Sequence, residues 1–140
     1  MKSIHRVFLA LAGLLAAYVG ASLLLDPVGF EAAAGLELPA DRQLLSEMRA
    51  PGAALLVCAV FFWWGVARER FTRPALNIAA AVYTAYGLGR LVGFALDGAP
   101  NMTWASVAAV ELLVGFIAAG LAAASAVRGR RGGELRAQTA

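Results

Sequence analysis

Histidine and cysteine are nearly missing from this chain, with one of each in 140 residues. A lone cysteine excludes an internal disulfide framework and a cysteine-based zinc site. A lone histidine, His5, leaves little scope for a histidine metal cluster. Charge is scarce as well: Asp, Glu, Lys and Arg make up 15% of the residues, against about a quarter in ordinary soluble domains. No nucleotide-binding loop, metal box or nucleophile triad stands in the sequence. Apolar residues are what is abundant, at 61% of the chain with a mean hydropathy of +0.71. That composition is too greasy for water on all sides and excludes disorder. It points to one small membrane domain and names no reaction.

A helix needs about 20 apolar residues to cross the hydrocarbon core. Four runs approach that length: 7–25, 50–67, 74–96 and 102–127. The first carries no charge and stops at Asp26-Pro27, and the second stops against Arg68-Glu69-Arg70. The third is interrupted only by Arg90 and the fourth only by Glu111. No period-2 alternation recurs, which argues against a β-barrel. Helices are the remaining way to satisfy backbone polar groups in lipid. The expected fold is an all-α integral membrane four-helix bundle over 1–127, followed by a basic tail at 128–140.

Basic residues set the orientation. Lys2 and Arg6 precede the first run, Arg68, Arg70 and Arg73 fill the turn between the second and third, and Arg128, Arg130, Arg131 and Arg136 follow the fourth. Across the membrane Arg42 is the one loop-borne base, among Asp26, Glu31, Glu37 and Asp41. The positive-inside rule then puts both termini in the cytoplasm. These anchors account for the pI near 9.6, so no nucleic-acid partner is expected. A cleavable signal peptide competes at the N-terminus, with Val19-Gly20-Ala21 as its small-residue site. The apolar run continues through Leu23-Leu24-Leu25, which favours a retained helix. Arginine dominates over lysine and alanine is very common, a GC-rich bacterial bias that places the protein in a bacterial inner membrane. In that setting the sequon Asn101-Met102-Thr103 carries no glycan.

The first outer loop has its own signals. Asp26 is an N-cap, Pro27 a first helical residue and Gly35 a terminator, so a short interfacial helix is expected there. Val28, Phe30 and 32–34 would be its apolar side, laid over the bundle as a lid. Asp41 is a second N-cap, followed by Leu44, Leu45 and Met48 at helical spacing. Pro51 then withdraws a donor from the carbonyl of Glu47. Either the second helix starts near Asp41 and kinks near 50–52, or a loop ends with Pro51 in the first helical turn.

Arg90 and Glu111 are expensive facing lipid and should face inward. Arg90 lies seven residues before Asp97, about 10 Å below the end of its run, and Glu111 nine residues past Met102, about 14 Å below the same end. A guanidinium can cover that gap. With Glu47 and Arg49 entering above, the candidate polar cluster is Glu47, Arg49, Arg90, Asp97 and Glu111. Tyr83 and Tyr86 share the Arg90 face, while Ala108, Glu111, Gly115, Ala118 and Ala122 form a small-residue face on the last helix. Gly89 and Gly93 make a GxxxG. Cys58 reads as core filler, and Trp63, Trp64 and Trp104 as interfacial anchors. Such a cluster either fixes helix register or binds a ligand. Ion movement has thin support, with Asn77 the one polar candidate toward the cytoplasmic side of its helix.

Glu47-Met48-Arg49-Ala50-Pro51-Gly52, Tyr86-Gly87-Leu88-Gly89-Arg90 and Asp97-Gly98 form an ordered pattern. With Leu25-Asp26-Pro27, Phe30, Gly35 and Glu111, it resembles the bacterial four-helix membrane family called domain of unknown function 4345. The resemblance runs from about Ile4 to Val127. Family members look to carry Gly-Gly after the Arg-Ala motif, where this chain has Gly52-Ala53 after Pro51. The resemblance implies the fold and the polar positions, with no activity or cofactor attached. Two classes of function follow. One is a non-enzymatic binding or accessory subunit in the lipid bilayer, with a lipophilic ligand or a membrane-protein partner, in which an oligomer is possible. The other is a membrane enzyme acting on a lipophilic substrate, isomerase-like or quinone-handling, with Glu111 or Glu47 as acid/base.

Overall fold

A computed structural model describes residues 2–138, with side chains over 3–127. The basic side chains of 128–140 lie outside that range. The chain forms five helices: α1 Lys2–Leu25, α2 Pro27–Ala33, α3 Arg42–Ala67, α4 Glu69–Asp97 and α5 Met102–Gln138. There is no strand among the described residues. Four helices are long and apolar enough to cross a membrane: Ser3–Leu25, Arg42–Ala67, Glu69–Asp97 and Met102–Val127. The fold is all-α, and the protein is a multi-pass membrane protein.

Local chemistry explains the breaks. The side chain of Asp26 accepts from the amide of Gly29 at 3.0 Å, with Pro27 supplying the first helical residue of α2. At the other end the amides of Gly35 and Leu36 donate to the carbonyls of Ala32 and Glu31, with Gly35 at φ 82°. This is a Schellman termination, which needs a residue free to adopt the left-handed region. Asp41 caps α3 by accepting from the amide of Leu44 at 2.9 Å. The helix then runs through Pro51, so the start near Asp41 holds and the loop reading does not. A single extended residue, Arg68, separates α3 from α4. Thr72 closes the turn by donating its hydroxyl to the carbonyl of Gly65 at 2.8 Å. Asn101, the sequon asparagine, accepts from the amide of Trp104 and starts α5.

The helices pack in the sequence α1 on α3, α3 on α4 and α4 on α5, while α1 and α5 barely touch. Leu9, Ala12 and Ala16 from α1 meet Ala59 and Phe62 from α3, Ala75, Leu76, Ala79 and Tyr83 from α4, and Ala118 and Ala122 from α5. Alanine at so many contacts lets helix backbones approach closely, which is how helices associate where water supplies no hydrophobic drive. Large apolar side chains instead cover the outside, among them Leu11, Leu14, Val57 and Phe116. So much contiguous apolar surface requires a lipid surround.

Candidate functional site

Three helices and the α2 cap build one polar group inside an apolar wall. Arg90, half-buried on α4, donates from Nε to Glu111 Oε2 on α5 at 2.8 Å. Its guanidinium also lies over the Trp104 ring, 4.7 Å from the centroid. The pair is therefore held on two sides, by a charge-assisted hydrogen bond and by a cation–π contact. Tyr83 is buried and donates its hydroxyl to the carbonyl of Ala12 at 2.7 Å, tying α4 to α1 below the pair.

Glu31 completes the group. It is 4% exposed, the only buried charged residue among those described, and its Oε2 has no hydrogen-bond partner. Burial pushes its carboxyl above the ordinary glutamate range, and the charge of Arg90 partly offsets that. Burying an ionised carboxylate without a partner is unfavourable by several kcal/mol. The position follows from the α2 caps: Glu31 lies one turn after Pro27, and these two are the buried residues of the helix. Of the apolar side expected for α2, Phe30 and Ala34 are half-buried and line the cavity with Glu31, while Val28 and Ala32 are exposed.

These charges line a cavity of about 410 Å³. That is within the range of small-molecule sites, roughly 300–1,000 Å³. Its walls are mostly apolar, drawn from Leu15, Val19, Leu23, Leu55, Val82 and Val107, with Tyr86 and Phe30 beside the charges. Tyr18 on α1 and Val110 on α5 also line it and are 63% and 46% exposed. Exposed parts of its wall thus lie on both α1 and α5, two helices that barely touch. Tyr18 stands seven residues before the end of α1 and Val110 eight past the start of α5, about 10–12 Å into the spans.

The residues expected to cluster divide accordingly. Arg90, Glu111, Tyr83 and Tyr86 line the cavity. Arg49 does not join them: its Nε donates to the carbonyl of Leu24 at 3.1 Å, satisfying one of the last carbonyls of α1. Glu47 and Asp97 are exposed and line no part of the cavity. Beside Arg49, Gly52 faces Gly20 of α1, where a Cβ on either would stand within 3.0 Å of the other's carbonyl oxygen. The Arg49–Gly52 stretch is therefore a docking seam for α1. Gly89 faces open space, so the GxxxG on α4 makes no close helix contact there. Trp104, expected as an anchor, is a wall of the site, and Glu31 was expected only as an outer-loop acid. A buried turn of α2 is signalled by the Asp26-Pro27 start and the Gly35 stop, but which residue it turns inward is not.

The family model for the domain of unknown function DUF4345 matches residues 4–122. The chain belongs to that family. The matched stretch contains the whole DUF4345 cavity, with Glu31, Arg90, Trp104 and Glu111, as well as the Arg49–Gly52 seam. No curated protein matches the chain. No solved structure matches it either.

Proposed function

We propose that this protein is a non-enzymatic binding or accessory protein of a bacterial inner membrane that holds a lipophilic molecule with one polar end in the α2-capped cavity. One observation carries the reading: a largely apolar cavity is lined by three charged side chains, Glu31, Arg90 and Glu111, of which Glu31 is buried with an unpartnered oxygen. A ligand so divided would place its chain against Val19, Val82 and Val107 and its polar end at Glu31 and Arg90. The enzymatic alternative is less well supported. Glu111 is occupied by Arg90, and Glu47 lies away from the cavity, so neither is placed as a free acid or base. The nine basic residues on one side against Arg42 on the other support cytoplasmic termini and an outward-facing α2.

Native mass spectrometry of the protein released from lipid nanodiscs tests the binding reading. The expected result is a retained lipophilic adduct, lost when Val107→Trp fills the cavity. Equal occupancy in a folded Val107→Trp protein, or no adduct in the unaltered one, overturns it.

A further inference from the structure

Glu31 is the charge that the site leaves over. Among the described cavity residues the formally charged side chains are Glu31, Arg90 and Glu111. Arg90 is committed to Glu111 and to the face of Trp104, and Glu31 keeps an oxygen with no partner. With all three ionised the site is net −1. An anionic ligand would raise that to −2 beside two carboxylates, and an alcohol would leave the charge unbalanced. A cation with an N–H brings the sum to zero and supplies the missing donor.

We propose that the ligand of this cavity is a lipophilic amine, bound in protonated form by the Glu31 carboxylate; this rests on the binding reading above. The walls fit such a molecule at both ends. Val19, Leu55, Val82 and Val107 take an alkyl or aryl body, and the exposed flank at Tyr18 and Val110 admits it from the bilayer. Tyr18, Phe30 and Tyr86 line the same cavity as Glu31, and aromatic rings attract a cation to their faces, while the face of Trp104 is already taken by Arg90. Arg90 plays a positioning part: paired to Glu111, it is withheld from Glu31, and Glu31 stays available. No bond is made or broken; the ammonium arrives protonated and stays so.

The test uses the full chain in phosphatidylcholine nanodiscs with three photoreactive probes of one chain length. One is a primary amine, one an alcohol and one a carboxylic acid, each with a diazirine in the chain. Labelled residues are read by mass spectrometry, cavity positions such as Val19 and Val107 against lipid-facing Leu14 and Phe116. The amine is expected to label the cavity at least about tenfold more than the alcohol, the weight of one charge-assisted hydrogen bond. Glu31→Gln should erase that preference while lipid-facing labelling stays the same. If Glu31→Gln does not fold, competition by unlabelled amine against unlabelled alcohol on the unaltered protein decides the question. Equal cavity labelling by all three probes, or strongest labelling by the acid, overturns the amine and leaves the cavity reading standing. No cavity labelling above the lipid-facing level by any probe overturns both.

Discussion

The two ends of the bundle are built on opposite plans. Away from α2, the helices close on Leu9, Phe62, Ala75, Leu76 and Ala79, all essentially sealed from their surroundings. Gly65 sits so close to Ala75 and Leu9 that no side chain larger than hydrogen fits. At the α2 end, α1 and α3 stay in close contact at Gly20 and Gly52, but a cavity of about 410 Å³ between α1, α2, α4 and α5 is lined by Glu31, Arg90 and Glu111. Small residues can close a bundle in lipid with no polar group at all. The charges at the other end do something that small-residue packing does not: they pair α4 with α5 through Arg90 and Glu111 and form the site proposed above for a ligand.

The comparison breaks most visibly at the packed end. Phe62 is wholly buried and stacks near Tyr83 with ring centroids 6.3 Å apart. Phe62→Ala should lower stability by about 4 kcal/mol, the loss of a large core ring plus its cavity. Thermal unfolding in detergent measures it. A loss as small as that of a lipid-facing Phe116→Ala control would mean that this end is not close-packed.

Next in size is the polar end. Arg90→Ala strands Glu111 and removes the charge facing Glu31, so about 3 kcal/mol of destabilisation is expected. Arg90→Lys should cost less, since it keeps the charge and forfeits the guanidinium's fit to Glu111 and its stacking on Trp104. If Arg90→Ala unfolds at the temperature of the unaltered protein, the ion pair does not hold α4 to α5. Glu111→Gln sharpens the point. As a tie to Arg90, it should lower stability modestly while ligand occupancy falls only in proportion; a folded variant stripped of ligand would assign Glu111 a direct role in binding.

A smaller effect is expected at the α1–α3 seam. Gly52→Ala pushes a methyl toward the Gly20 carbonyl, where there is no room, and should cost about 1–3 kcal/mol. The same change at Gly89, which faces open space, should be neutral or slightly stabilising. Similar unfolding temperatures for the two variants would remove the seam from the account.

Which of these features was legible beforehand follows from how far each depends on neighbours in sequence. Run length and the charges at the run ends specify the four crossings, and the Asp26, Pro27 and Gly35 signals specify α2. The Arg90–Glu111 pair was legible because both residues lie at a depth countable from the ends of their own helices. Arg49 was misplaced because an open carbonyl at the end of α1, Leu24, lies nearer than the cluster, and that carbonyl is invisible until the helices are docked. Glu47 and Asp97 stand at helix levels where water or headgroups serve them, so no force draws them inward. Glu31 escaped notice because a loop carries no depth. Its burial comes from folding α2 back over the bundle, a tertiary event that the charge pattern counts as outside.

The smallest effect concerns protons, and it separates the two ends without touching the packing. Burial raises the Glu31 carboxyl above the ordinary glutamate range, with Arg90 pulling the other way. A raised acid binds its proton better in the folded state than in the unfolded one. In the ligand-free protein, stability should therefore fall as pH rises from the ordinary carboxyl value through the raised one, and level off above it. Arg90 and Glu111 also face this site, along with Tyr18, Tyr83 and Tyr86, so the slope belonging to Glu31 is the difference between the unaltered protein and Glu31→Gln. Phe62→Ala should shift the whole curve and leave that difference intact, because Phe62 lines no part of the cavity that holds Glu31. A saturating lipophilic amine should reverse the difference, since it binds the ionised carboxylate and rewards deprotonation. Unfolding midpoints across pH 4 to 8, with and without a long-chain amine, measure both slopes. Identical profiles for Glu31→Gln and the unaltered protein in both conditions would mean that Glu31 neither titrates in the cavity nor meets a cation there.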